Sequence, residues 1–331
     1  MRTSRKLTQA LLALSALVVM GTAALAADPG LTYPATSEVS DQKAGSILFY
    51  NFYTSSTSQP NRQNTRFNIT NTSSTSAAFV HLFFVEGSSC NVSDRTVCLT
   101  ANQTMTFLAS EQDPGTTGYL IAIAVDGVVG CPTSFNFLIG DEYIKLELGH
   151  QANLGAEAFA ALYQGDLPEC TGNSVTANVN LDGIQYNRVP RVLAVSSIGS
   201  TLDGNVTRII INRVGGSLLT SANSIGQIFG ELFDDAEGVH SFTIPTSGCQ
   251  RVATLGNDFP RTAPRFDLII PAGQTGWMKF WSTSDVGLLG AVLNFNANAA
   301  TAAGAFNGGH NLHKLTLTND SYTVPVFPPT C

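Results

Sequence analysis

His310 and His313, three residues apart, are the closest-spaced imidazole pair in the chain. On one helical face such a pair can share a zinc ion, whereas in a strand an odd spacing turns the two rings to opposite faces. Gly308-Gly309 just ahead would let a loop bring them back together, and the plainer reading is two polar residues where a loop becomes a strand. The densest acidic run holds Glu231, Asp234, Asp235 and Glu237. Carboxylates on a flexible loop suit a weak extracellular calcium site, and the alternative is a solvated turn at a strand end. Trp277 and Trp281 lie four apart with Lys279 between them, so an extended strand puts both indoles on one face. That face is either a sugar-stacking platform or core. Arg66 and Arg208 sit in similar apolar surroundings and suit a structural contact with carboxylates or carbonyls.

The chain contains no GxSxG, HExxH, Walker, GxGxxG or EF-hand pattern. Many hydrolases assemble their sites from distant positions, so an extracellular hydrolase with a dispersed site stays open as a minor alternative.

The elements that must position these residues read as strands. Residues 77–86 and 118–125 are runs of apolar, β-branched and aromatic residues bounded by Ser, Thr, Gly and Asp-Gly turns. Residues 207–213, 265–270, 276–282, 288–295 and 312–318 continue the pattern. An Ala-rich segment predicts one short helix at 150–164, stopped by Gly165.

The chain also echoes itself. Ile47-Leu48-Phe49-Tyr50 and Thr65-Arg66-Phe67-Asn68-Ile69 match Val192-Leu193-Ala194-Val195 and Thr207-Arg208-Ile209-Ile210-Ile211 at offsets near 142–145, and later blocks match at 171, among them Gln103 with Gln274. The expected fold is all-β: two tandem antiparallel β-sandwich domains, Ig-like or jelly-roll, related by internal duplication. The expected boundaries are a signal peptide over 1–26, a first domain over 27–170, a linker over 171–187 and a second domain over 188–331.

The signal peptide rests on Arg2, Arg5 and Lys6, an apolar stretch from Leu11 to Met20, and Ala24-Leu25-Ala26 before Ala27-Asp28. The apolar stretch is too short to span a bilayer. Its removal takes the 17 basic residues to 14 against 24 acidic ones, a net charge of −10. That sign argues against nucleic acid as a partner, and no later apolar run is long enough for the mature chain to insert in a membrane. Six cysteines, none in a CxxC spacing, point to structural disulfides in an oxidising compartment. Chain order suggests Cys90–Cys98, Cys131–Cys170 and Cys249–Cys331.

Asn64-Thr65-Arg66-Phe67-Asn68-Ile69-Thr70-Asn71-Thr72, His81-Leu82-Phe83-Phe84-Val85-Glu86-Gly87 and the ending His310-Asn311-Leu312-His313-Lys314-Leu315-Thr316-Leu317-Thr318 resemble secreted bacterial β-sandwich proteins of uncharacterised function. The resemblance implies export and a β fold, and no activity. The functional expectation is an exported, non-catalytic structural or binding protein of the periplasm, cell surface or extracellular matrix. It would need no cofactor and would bind another protein or copies of itself. The alternative is a carbohydrate-binding module, calcium-assisted if the acidic run holds an ion.

Overall fold

The structure is a computed structural model that describes residues 29, 31–32 and 38–330. The expected signal peptide and Cys331 lie outside the described residues. In chain order the elements are β1 (Leu31–Thr32), β2 (Ile47–Thr54), β3 (Asn64–Asn71), β4 (Ala78–Glu86), β5 (Val92–Leu99), β6 (Thr104–Leu108), α1 (Ala109–Gln112), β7 (Thr117–Val125), β8 (Leu138–Lys145), β9 (Gln151–Gly155), β10 (Glu157–Phe159) and β11 (Thr176–Leu181). The second half continues with β12 (Val189–Gly199), β13 (Asn205–Val214), β14 (Gly216–Ser217), β15 (Ser221–Ala222), β16 (Gln227–Phe233), β17 (Val239–Pro245), β18 (Gln250–Thr254), α2 (Phe266–Ile269), β19 (Thr275–Ser282), β20 (Gly287–Asn296), β21 (Gly308–Asn311), β22 (His313–Thr318) and β23 (Asp320–Pro325).

The all-β expectation holds, with 53% strand and 4% helix, but the expected pair of tandem β-sandwich domains does not. The strands form five small sheets, grouped as a five-bladed β-propeller. The blades are not plain meanders: their orders are β10-β2-β7-β4-β5, β6-β3-β8-β9, β1-β22-β12-β19-β16-β17, β18-β13-β20-β21 and β11-β23-β14-β15. The last sheet draws β11 from the segment expected to be a linker and pairs it with β23 at the far end of the chain. One large apolar core likewise mixes Phe49, Phe83 and Ile121 of the first half with Leu218, Leu289 and Tyr322 of the second. Cross-half pairing and shared cores remove the independence that tandem domains require.

The predicted helix at 150–164 is also overturned. Its alanines alternate with polar residues: Ala152 and Leu154 are buried while Gln151 and Asn153 are exposed. That two-residue period forms β9, the wholly buried Glu157–Phe159 forms β10, and tertiary burial overrides alanine's helix preference.

Strand order recurs between the halves. β2 to β10 and the set β12, β13, β16 to β22 take corresponding places: β10-β2-β7-β4-β5 matches β22-β12-β19-β16-β17, and β6-β3-β8-β9 matches β18-β13-β20-β21. The register agrees as well. Arg66–Thr70 pair with Leu108–Thr104, and Arg208–Asn212 pair with Thr254–Gln250. The 171-residue offset fails this test, because it aligns β7 with β20, whereas topology sets β7 against β19 and β8 against β20.

The halves are joined by an apolar plug. Ile210, Ala291 and Leu293, on β13 and β20, pack against Phe52, Ile144, Leu146, Ala152 and Leu154 of the first half. Beside it a buried amide network crosses the same boundary. Asn51 Nδ2 donates to Asn311 Oδ1 (2.9 Å), Asn212 Nδ2 donates to the Asn51 carbonyl (2.7 Å), and Gln250 Nε2 donates to Asn212 Oδ1 (2.8 Å). Glu142, 1% exposed, accepts the Phe52 amide at 3.2 Å.

The disulfides differ from chain order in two of three cases. Cys131–Cys170 forms, with Cα atoms 5.8 Å apart. Cys90 pairs with Cys249 of the other half, Cα atoms 5.6 Å apart, which overturns both Cys90–Cys98 and Cys249–Cys331. The reason is extension: Val92 faces Val85 and Cys98 faces Phe79, so β5 carries Cys98 about 20 Å from its start. Cys98 is itself disulfide-bonded.

Three outcomes follow. Non-reducing peptide mapping recovers a Cys90–Cys249 peptide pair, and Cys249→Ser costs about 3–5 kcal/mol in denaturant unfolding. Leu293→Ala costs about 2–5 kcal/mol in the same assay, because it opens a cavity in the plug. Burial also holds the Glu142 carboxyl well above the ordinary carboxylate range. The native state therefore keeps a proton that the unfolded chain loses near about pH 4.3, so stability falls as pH rises above that value. Glu142→Gln flattens this decline in melting temperature between about pH 5 and about pH 8.

Candidate functional site

The site lies where the second half departs from the first. A bulge in β12 between Val195 and Ile198 and one in β2 between Tyr50 and Tyr53 occupy matching places. A bulge breaks alternation and re-aims two side chains. In the first half these are Asn51 and Phe52, both buried at the plug. In the second half they are Ser196 and Ser197, both exposed.

The strand ladders extend the correspondence. Arg66 faces Tyr143 and Arg208 faces Leu293, so Ile144 and Leu146 match Asn294 and Asn296. Ile144 faces Ala152 and Glu142 faces Leu154, while Asn294 faces Gly308 and Val292 faces His310. Each first-half side chain that receives the plug thus has a polar or glycine counterpart: Phe52 becomes Ser197, Ile144 Asn294, Leu146 Asn296, Ala152 Gly308 and Leu154 His310. All five counterparts line one open cleft of about 790 Å³. The mouth that the second half fills in the first stands open in the second.

Amides dominate the cleft. Asn294 Nδ2 donates to Asn205 Oδ1 (3.0 Å) and to the Phe306 carbonyl (2.8 Å), and Thr207 Oγ1 donates to Asn294 Oδ1 (2.9 Å). Asn296 Nδ2 donates to the Asp203 carbonyl (3.1 Å), and the Asn296 amide donates to Asn307 Oδ1 (2.6 Å). This ladder fixes the floor. Phe306, 71% exposed, offers an aromatic face on the wall beside the exposed Asn298. Asp203 brings a carboxylate whose Oδ2 accepts the Gly273 amide at 2.8 Å. Rigid amides, hydroxyls and one aromatic ring suit a neutral ligand rich in hydroxyl groups.

His310 borders both this cleft and a smaller one of about 470 Å³ lined by Asp41, Ser196, His313 and Lys314. The two candidate zinc ligands do come together, with ring centroids 5.6 Å apart. Each has another partner: His310 Nδ1 lies 2.8 Å from the Asn311 carbonyl and His313 Nε2 lies 3.0 Å from Ser196 Oγ. Burial, with His310 and Lys314 nearby, lowers the His313 pKa. Among the described residues no group of three or more His, Cys, Asp or Glu is placed to hold a metal ion.

The candidate calcium ligands are spread along β16 and its turn. Glu231 pairs with Lys279 at 3.3 Å. Asp234 Oδ1 accepts the Gly238 amide (2.7 Å) and the Ala236 amide (2.9 Å), and these bonds, Gly238 first, hold its pKa below the usual range. Asp234 thereby closes the turn into β17, with Asp235 exposed and Glu237 at a positive φ of 65°. Trp277 and Trp281 face outward on β19, Trp277 stacked on Phe233 with centroids 4.1 Å apart and Trp281 against Phe229 at 5.1 Å. Arg66 lies over the Tyr143 ring at 5.7 Å.

Sequence reasoning missed the amides. A signal for them was present in β20, where Leu288 and Val292 face the core and the same face continues as Asn294 and Asn296. An inward face that turns from apolar to amide marks the point where the core ends and a cleft begins.

No protein-family model matches the chain, and no curated protein matches its sequence.

The cleft floor yields a prediction. Asn294→Ala strips the partners of Asn205 and Thr207, and the melting temperature falls by the equivalent of about 1–3 kcal/mol. Asn298→Ala, on the exposed rim, leaves it within about 0.5 kcal/mol of wild type.

Proposed function

We propose that the chain is an exported, non-catalytic binding protein whose open cleft holds a neutral, polyhydroxylated ligand, a glycan. The observation that carries this reading is the exchange of an apolar, plugged mouth for an amide-lined, open one. Such amides present donors and acceptors together, which matches the paired character of sugar hydroxyls. The exposed Phe306 ring adds a surface for the apolar face of a sugar. Calcium is not required by this chemistry.

Export is supported by the basic-apolar-small pattern of residues 1–26 and by two disulfides, which persist in oxidising compartments. Among the described residues no helix is long and apolar enough to cross a membrane. The recurrent nine-strand order supports descent by duplication, followed by divergence of the second copy toward binding.

The test is a glycan array with the mature protein, followed by titration of its strongest hit. Specific binding is expected, weakened at least tenfold by Asn298→Ala and by Phe306→Ala with melting temperatures unchanged. An array with no signal above background, repeated at millimolar ligand by calorimetry, overturns the reading.

A further inference from the structure

Lys43 and Asn187 are 144 positions apart in the chain and meet just ahead of β12, with Lys43 Nζ 2.5 Å from Asn187 Oδ1. The end of β10 brings them together. Gly45 lies so close to Phe159 that a Cβ there would stand 2.5 Å from the Phe159 carbonyl oxygen, and the Ser46 amide donates to that oxygen at 2.9 Å. One residue on, Ala160 grips Asn187 twice. Its amide donates to Asn187 Oδ1 at 2.8 Å, and its carbonyl accepts the Asn187 amide at 3.1 Å. Asn187 is 6% exposed, and the flanking Phe159, Ala161, Tyr186 and Val189 belong to the large shared core.

An amine placed in this way can attack an amide. Burial lowers the Lys43 pKa, against the opposing effect of Glu38, and so favours the neutral amine, which is the nucleophile. A carbonyl bond is about 1.23 Å long, so Nζ lies within about 3.7 Å of Asn187 Cγ. Reacting atoms about 3–3.5 Å apart are in near-attack range. The Ala160 amide already donates to the oxygen on which negative charge would develop, at a distance that stabilises an oxyanion. Glu38 is the nearby carboxylate. Its Oε2 accepts the Arg188 amide at 3.1 Å and its Oε1 the Arg188 guanidinium at 3.3 Å, which fixes it on the residue after Asn187 and within electrostatic reach of Lys43.

We propose that Lys43 and Asn187 become joined by an amide bond that the folded chain forms by itself. Lys43 Nζ adds to Asn187 Cγ, and the Cγ–Nδ2 bond breaks. The proton lost from Nζ passes through Glu38 to Nδ2, which leaves as ammonia. No oxidant or reductant enters, since one amide is exchanged for another. The link closes a ring that contains Cys131 and Cys170, and the Cys90–Cys249 disulfide crosses it, with Cys90 inside and Cys249 outside. It holds the entry to the second half against the start of the first even where the disulfides are reduced, and it is independent of what the cleft binds.

The test is the mass of the mature protein, denatured and reduced after folding. The expected mass is one ammonia below that of the sequence, about 17 Da. A protease digest then yields one branched peptide that joins the Lys43 and Asn187 segments and survives reduction. Lys43→Arg and Asn187→Ala each restore the full mass and separate the peptides. Glu38→Gln, which keeps both partners, leaves most of the chain unlinked. A wild-type chain of full mass, with intact Lys43 and Asn187 peptides, overturns the proposal. So does the same loss mapped elsewhere, as cyclisation at Asn307-Gly308 would give. Complete linking in Glu38→Gln overturns the proton path assigned to Glu38.

Discussion

The packing of Ile210, Ala291 and Leu293 into the first-half mouth is the constraint on which the rest of the molecule depends. Each fully buried aliphatic side chain contributes about 1.5–3 kcal/mol through area removed from water. The same contact brings Asn51, Asn212, Gln250 and Asn311 into one buried amide network, whose members would be costly to leave unpaired. It also sets Cys90 beside Cys249, so apolar burial, amide pairing and a covalent link hold one boundary.

A head-to-tail contact of this kind can in principle repeat, since a second mouth could accept a further plug. The surfaces at the two ends differ in character from the plugged boundary. The open mouth carries Ser197, Asn294 and Asn296 where the filled one carries Phe52, Ile144 and Leu146. The first-half positions that correspond to the plug are Asn68, Asp141 and Tyr143 in place of Ile210, Ala291 and Leu293, and Asn68 Nδ2 donates to Asp141 Oδ2 at 2.9 Å. Both outer faces are polar, as the outer faces of capping repeats are in longer arrays. The second half presents a concave surface on which Asn294, Asn296 and Asn298 stand.

Polar substitution therefore has two consequences in one place. It takes apolar area away from the mouth, and it leaves hydrogen-bonding groups fixed in a cleft by their own ladder. Asn205, Asn294 and Asn296 hold one another, so the floor is rigid before any ligand arrives, and a preorganised surface loses less entropy on binding.

The strand content was legible in the sequence, because alternation and continuous apolar runs are local signals. So was the likeness of β2 and β3 to β12 and β13, where Arg66 and Arg208 occupy matching ladder positions. The pairing of Cys131 with Cys170 also followed chain order. Tertiary structure decided the remainder, because each part of it depends on distance across the fold. The rise of β5 separates Cys90 from Cys98. Burial on alternate residues of β9 and on every residue of β10 turned an Ala-rich segment into strands. Asn205, Asn294 and Asn296 became the floor of a cleft only when β12, β13, β20 and β21 met around them. Local chemistry along a chain sets which strands can form, and only their packing sets which faces are filled and which stay open to a ligand.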